Sequence, residues 1–130
     1  MLIRSILAGA AALAFLTAPT LAQELAGGAV KAADIAGQTV LTDANGMTLY
    51  IFDKDSENVS NCYDQCAANW PPLLADDGAT ADDAFSVVER TDGTSMWAYK
   101  GAPLYYWIND TQPGETTGDG VGGVWHLAVQ

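Results

Sequence analysis

The chain has 130 residues and a mass of 13.6 kDa, with 16 acidic against 5 basic residues and a formal net charge of −11. One domain is expected at that size, and a 49% hydrophobic, 16% charged composition is too apolar for a disordered acidic tail. With no basic cluster to relieve the repulsion locally, the charge argues against nucleic acid or anionic lipid as a partner.

Residues 1–22 carry one charge at Arg4, an apolar run from Ile6 to Leu16, then Pro19 and small residues ending at Ala22. That order predicts a signal peptide cleaved after Ala22; the run is about half of the roughly 20 residues that a membrane span needs. The two cysteines, Cys62 and Cys66, lie far from that point. A lipid anchor on an N-terminal cysteine is therefore not expected, and the mature form should be periplasmic or secreted with no membrane anchor.

Residues 23–37 are rich in Gly and Ala and read as a flexible N-terminal arm. The folded unit is expected over 38–130. Thr39–Thr42 and Met47–Phe52 have strand composition and flank Asn45-Gly46, a hairpin turn because both residues tolerate positive φ. Asn61–Trp70 reads as a short helix stopped by Pro71-Pro72, with Asn61 as N-cap and Asp64 in the first turn. Residues 76–83 form an acidic loop. Neither this loop nor Asp110, Glu115 and Asp119 follows a calcium-loop pattern, so a solvated loop is expected. Strands are predicted at Phe85–Arg90, Thr94–Tyr99, Pro103–Trp107 and Val124–Val129, with turns at Thr91-Asp92-Gly93 and Lys100-Gly101-Ala102. The fold class is mainly β: a small antiparallel barrel-like or sandwich domain of two related hairpin units and one short helix.

The most specific feature is an internal repeat. Residues 46–55 and 101–110 align without gaps at an offset of 55, with Gly46/Gly101, Leu49/Leu104, Tyr50/Tyr105 and Asp55/Asp110 identical and Phe52/Trp107 both aromatic. Upstream, Thr39 aligns with Thr94 at the same offset. In a strand, Tyr50 and Phe52 project from one face and Leu49 and Ile51 from the other, so both faces should be covered. Asp55 and Asp110 fall past the strand ends, where a carboxylate accepts backbone N–H groups and fixes the exit turn. A second possibility makes the two Tyr/Asp pairs a pseudo-symmetric binding site.

Both segments fit Tyr-x-(Phe/Trp/Tyr)-x-x-Asp. In that motif, in Cys-x-x-x-Cys-x-x-x-Trp-Pro-Pro at 62–72 and in Gly-Asp-Gly-Val…Trp-His-Leu at 118–127, the chain resembles the bacterial secreted-repeat family often called predicted lipoproteins. The resemblance covers about residues 38–130. It implies an exported protein built of paired repeats, with Tyr50, Phe52, Asp55, Tyr105, Trp107 and Asp110 as the motif positions and no established activity.

Cys62 and Cys66 allow two chemistries. In an oxidising compartment they are expected to form a structural disulfide. Helical i, i+4 positions hold Cβ atoms ~5–6 Å apart, against about 3.8 Å in a disulfide, so Cys62 should sit at the helix edge with the first turn distorted. The alternative is a periplasmic redox or copper-handling protein in which the dithiol, with His126 or a methionine such as Met47 or Met96, forms a soft ligand set. No Ser/His/Asp or Cys/His constellation, nucleophile elbow or phosphate loop is visible. The four tryptophans, Trp70, Trp97, Trp107 and Trp125, could form a carbohydrate platform or fill a small β core. The reading is an exported acidic binding or interaction module, non-enzymatic and needing no cofactor, whose partner is an unknown exported protein or small ligand.

Overall fold

A computed structural model describes residues 24–130; the expected signal peptide lies outside the described residues. The fold is mainly β, with three antiparallel sheets that do not close into a barrel and one short helix. The strands are β1 (Glu24–Leu25), β2 (Val30–Ile35), β3 (Gln38–Asp43), β4 (Tyr50–Phe52), β5 (Phe85–Glu89), β6 (Ser95–Tyr99), β7 (Ala102–Pro103) and β8 (Trp125–Leu127), with α1 at Gln65–Asn69 between β4 and β5. The sheets run β1-β2-β3, β4-β8 and β5-β6-β7.

Each repeat opens with a hairpin, β2/β3 in the first and β5/β6 in the second. The two are built from the same pair of turns in opposite order. Ala36-Gly37 closes β2/β3 in two residues, both at positive φ, as the right-handed strand twist prefers. The equivalent loop in the second repeat has three residues, Thr91-Asp92-Gly93, closed by Arg90 N to Thr94 O at 2.7 Å. The next turn reverses this: Ala44-Asn45-Gly46 in the first repeat, Lys100-Gly101 in the second. Ala102, expected in that second turn, already belongs to β7. The inserted residue is thus cancelled one turn later. Between the turns the true offset is 56, which pairs Val40 with Met96 in role, and beyond them it returns to 55. Thr39 therefore corresponds to Ser95, and its sequence match to Thr94 is a one-residue slip.

The end segment of each repeat is inserted into the other. Val129 bridges Val40 and Leu74 bridges Met96. Leu41 N donates to Ala128 O at 2.8 Å, while Ala128 N donates to Leu49 O at 2.9 Å. The same ladder is written in the other half by Trp97 N to Leu73 O and Leu73 N to Leu104 O, both at 2.9 Å. Tyr50 and Tyr105 exchange both backbone bonds, at 2.8 and 2.9 Å, so a pseudo-twofold axis passes between them. The β4-β8 sheet is thus shared between the repeats, while each hairpin sheet stays within its own half.

Alternation along these central segments divides the core in two. Leu49 and Leu104 enter one cluster with Leu41, Trp97 and Leu73; Tyr50 and Tyr105 enter the other with Trp70, Trp125 and Met96. Ile51 packs on the first cluster and Phe52 on the second, the two-faced covering that the alternation predicts.

Two expectations are corrected. The segment read as a flexible arm is paired over its second half, since β2 matches β3 at every position from Val30 to Ile35 and Leu25, Ala26 and Val30 are buried. The Gly- and Ala-rich composition misleads there because small residues weaken the strand pattern without preventing backbone pairing. The helix also starts later than expected. Asn61 is not its cap, because Asp55 Oδ1 accepts the Asn61 backbone N–H at 2.7 Å and the Asn61 side chain donates to Lys54 O. Asp64 is the N-cap residue instead, at φ 55°, and makes no side-chain cap bond.

Candidate functional site

The second cluster gathers the aromatic positions of the repeat, Tyr50/Tyr105 and Phe52/Trp107, and their arrangement follows the pseudo-dyad. Phe52, Trp125, Trp70 and Trp107 stack in one column. Centroid separations are 4.2, 3.8 and 4.0 Å, and the central Trp125–Trp70 pair is parallel to within 3°. Trp70 and Trp125 are repeat equivalents, as are Phe52 and Trp107 at the two ends. Tyr50 meets Trp70 edge-on at 5.4 Å and Tyr105 meets Trp125 edge-on at 5.2 Å, which is the geometry the ring quadrupoles favour.

The tyrosine hydroxyls cross between the repeats. Tyr50 donates to Asp110 Oδ2 at 2.5 Å, and Tyr105 donates to Asp55 Oδ2 at 2.7 Å. Each aspartate keeps its other oxygen for its own turn: Asp55 Oδ1 accepts the Asn61 N–H, and Asp110 Oδ1 accepts the Thr117 N–H at 3.0 Å and its hydroxyl at 2.6 Å. The turn-fixing role read from the sequence is present. The second role, tying one repeat to the other, is not legible there. Tyr106 adds a third crossing to Asp43 Oδ2 at 2.8 Å. Burial and the neighbouring carboxylates raise the Tyr50 and Tyr106 phenols well above their ordinary value. Burial does the same for Tyr105, with Asp55 adding to it and Ser60 opposing. Burial also raises the Asp55 carboxyl, against the hydrogen bonds from Tyr105 and Asn61.

The symmetry breaks behind the tyrosines. Gly118 N donates to the Tyr50 hydroxyl at 3.1 Å, whereas Ser60 occupies that role for Tyr105 at 2.7 Å. Because Tyr105 gives its proton to Asp55, Ser60 is the donor in this pair. Ser60 in turn accepts from Arg90 Nη1 at 2.9 Å. Arg90 is 5% exposed; its other arm donates to Cys62 O at 2.9 Å, and its guanidinium lies 4.3 Å from the centre of the Tyr63 ring. Sequence reasoning singled out neither Ser60 nor Arg90, since a lone Arg at a strand end and a Ser in a loop carry no pattern, and met Gly118 only as the first residue of the motif at 118–127. At Gly118 a Cβ would lie 2.9 Å from both Trp107 Cγ and Tyr50 Cε1, in rings that cannot swing away. Gly118→Ala should therefore destabilise the fold by about 1–3 kcal/mol through overpacking, read as a lower urea midpoint with reduced near-UV dichroism.

Cys62 and Cys66 form a disulfide with Cα atoms 5.2 Å apart. Cys62 precedes the helix rather than forming its edge, and the positive φ at Asp64 reverses the chain between the two sulfurs. The bridge holds the loop that delivers Trp70 to the aromatic column, and Cys62 is fully buried beneath it. His126 Nε2 bonds to Asp53 Oδ2 at 2.8 Å. Among the described residues, no group of three or more His, Cys, Asp or Glu side chains is arranged to hold a metal ion. Trp97 stands apart from the column, in the other core cluster.

On that side a cleft of about 710 Å³ opens between Ala26–Ala29 and the acidic loop, over Leu74 and Trp97. Asp76, Asp77 and Asp82 line its rim. Leu74 is 54% exposed there although its backbone is held by the bridge to Met96.

These features define a class: a duplicated β unit whose two copies are interlocked about a pseudo-twofold axis. The chain belongs to the family described as a secreted repeat of unknown function, whose model matches twice, over residues 34–74 and 86–129. Both matches end on the inserted segments at Leu74 and Val129; the second begins within one residue of β5, and the first begins at the end of β2. No curated protein and no solved structure matches the chain. No described helix is long and apolar enough to cross a membrane.

Proposed function

We propose that the chain is an exported, non-enzymatic binding module of the periplasm or the secreted fraction, without a membrane anchor in its mature form or a cofactor, and that its ligand site is the acidic cleft. The cleft carries this reading. The inner rings of the column and the tyrosines of the crossed Tyr/Asp pairs are buried between the repeats, whereas Leu74, the small residues 26–29 and three aspartates surround space that no side chain fills. An acidic, largely polar lining with Leu74 and Trp97 among it suits a partner that carries cationic groups on a short apolar stem, such as a basic segment of an exported protein or a small amine. The net charge of −11 would steer such a partner inward.

Titration at low salt with a short Lys- and Leu-containing peptide, and with the same peptide carrying Glu for Lys, tests the reading. The basic peptide should bind, and the Asp76→Asn, Asp77→Asn, Asp82→Asn variant should weaken it by about tenfold, equivalent to about 1.4 kcal/mol. Binding should fall as salt screens the rim. Equal binding of the acidic peptide, or an unaffected triple variant, would contradict the assignment.

A further inference from the structure

Besides packing the repeats together, the aromatic column combines two features that suit one-electron transfer. Three indoles touch face to face in sequence, Trp107–Trp70–Trp125, at 4.0 and 3.8 Å. The two inner rings each meet a tyrosine edge-on, and the hydroxyl of each tyrosine is already hydrogen-bonded to a carboxylate oxygen. Indole and phenol are the side chains most easily oxidised by one electron in a chain without free thiols, and no free cysteine is present among the described residues. Rings in van der Waals contact pass an electron vacancy readily. A phenol can be the resting place of that vacancy only if its proton has somewhere to go, because the protonated phenoxyl cation is too strong an acid to persist. Here the acceptor lies along the existing hydrogen bond, so the proton moves without rearrangement of either side chain.

The two ends of the column differ. Trp107 and Phe52 occupy equivalent places and are both partly exposed, while Trp70 and Trp125 are each 4% exposed and the tyrosines are fully buried. Phenylalanine is far harder to oxidise than tryptophan, so Phe52 closes one end and Trp107 leaves the other open. A symmetric column thereby acquires one entrance.

We propose that the chain is a one-electron relay: an outer-sphere oxidant at the Trp107 end draws an electron through Trp70 and Trp125 from Tyr50 or Tyr105. In the balanced step the oxidant gains one electron, the Tyr50 O–H bond breaks and an O–H bond forms on Asp110 Oδ2. The products are the reduced oxidant, a neutral Tyr50 phenoxyl radical and a protonated Asp110. Asp55 serves Tyr105 in the same way. The partner is any one-electron oxidant of high potential, and the activity stands independently of ligand binding in the cleft.

The test uses the folded, disulfide-bonded protein with photogenerated tris(bipyridine)ruthenium(III) as oxidant, read by transient absorption and by electron paramagnetic resonance. Oxidation should end as neutral tyrosyl radical, with a solvent deuterium isotope effect and little pH dependence across the neutral range, because the proton acceptor is internal. Trp107→Phe, which keeps a ring in place, should remove most of the tyrosyl signal. Asp110→Asn with Asp55→Asn keeps an oxygen acceptor for each phenol but no base, and should leave the vacancy on tryptophan. Tyr50→Phe with Tyr105→Phe should do the same. A tryptophan radical as the end product in the parent protein would overturn the proposal whatever the variants do. A tyrosyl yield unchanged by Trp107→Phe, or surviving in the double Tyr→Phe protein, would also overturn it.

Discussion

Trp125→Ala should be among the most damaging single substitutions, lowering unfolding free energy by about 3–5 kcal/mol, a large part of the roughly 5–15 kcal/mol that holds a domain of this kind. Trp125 lies inside the column, 3.8 Å from Trp70 on one side and 4.2 Å from Phe52 on the other, with Tyr105 against its edge. Removing it opens a cavity bounded by three aromatic rings from both repeats. It also removes the side chain through which β8, the inserted end of the second repeat, grips the first. Urea unfolding should show the loss as a lower midpoint with an unchanged slope. Ile108→Ala is the control: 54% exposed, it should change stability by no more than about 0.5 kcal/mol.

The second large effect is expected at Asp110. It is 7% exposed and accepts three hydrogen bonds, from the Tyr50 hydroxyl and from the backbone and hydroxyl of Thr117. Asp110→Ala leaves a fully buried phenol without its acceptor and frees the turn after Trp107, a loss of about 2–4 kcal/mol. The equivalent Asp55→Ala should lose less, about 1–2 kcal/mol. Asp55 is more exposed, burial already disfavours its ionised form, and Tyr105 keeps Ser60 as a partner when Asp55 is gone. Thermal melting of the two variants side by side measures the difference. The ordering is a consequence of Gly118 standing where the other half has Ser60 and Arg90.

How much of this was legible in the sequence depends on the range of the interaction. Turn positions were legible because their chemistry is local: Gly46 and Gly93 each take the positive φ that ends a three-residue turn, although Asn45, expected to share it, does not. The duplication was legible through Leu49/Leu104 and Tyr50/Tyr105, whose alternation sends them to separate core clusters. The register between the repeats was misread at Thr39 because two turns of different length compensate, and an ungapped alignment cannot detect an insertion that is cancelled one strand later. The helix start was misread because Asp55 claims Asn61, a contact whose partner lies in the preceding turn. The crossing of Tyr50 to Asp110 had no sequence signal. A pattern that repeats identically gives the same Tyr and the same Asp in each copy, and nothing in it distinguishes bonding within a copy from bonding between copies. That choice is made by the insertion of residues 72–74 and 127–129 into the opposite repeat, which is a long-range event.

The central claim is therefore that the two repeats are joined crosswise, and a pair of double-mutant cycles on stability tests it most directly. Tyr50→Phe combined with Asp110→Ala should show a coupling of about 1–3 kcal/mol, while Tyr50→Phe combined with Asp55→Ala should be additive to within about 0.5 kcal/mol. Additivity across the repeats, with coupling between Tyr50 and Asp55 inside one repeat, would contradict the interlocked arrangement.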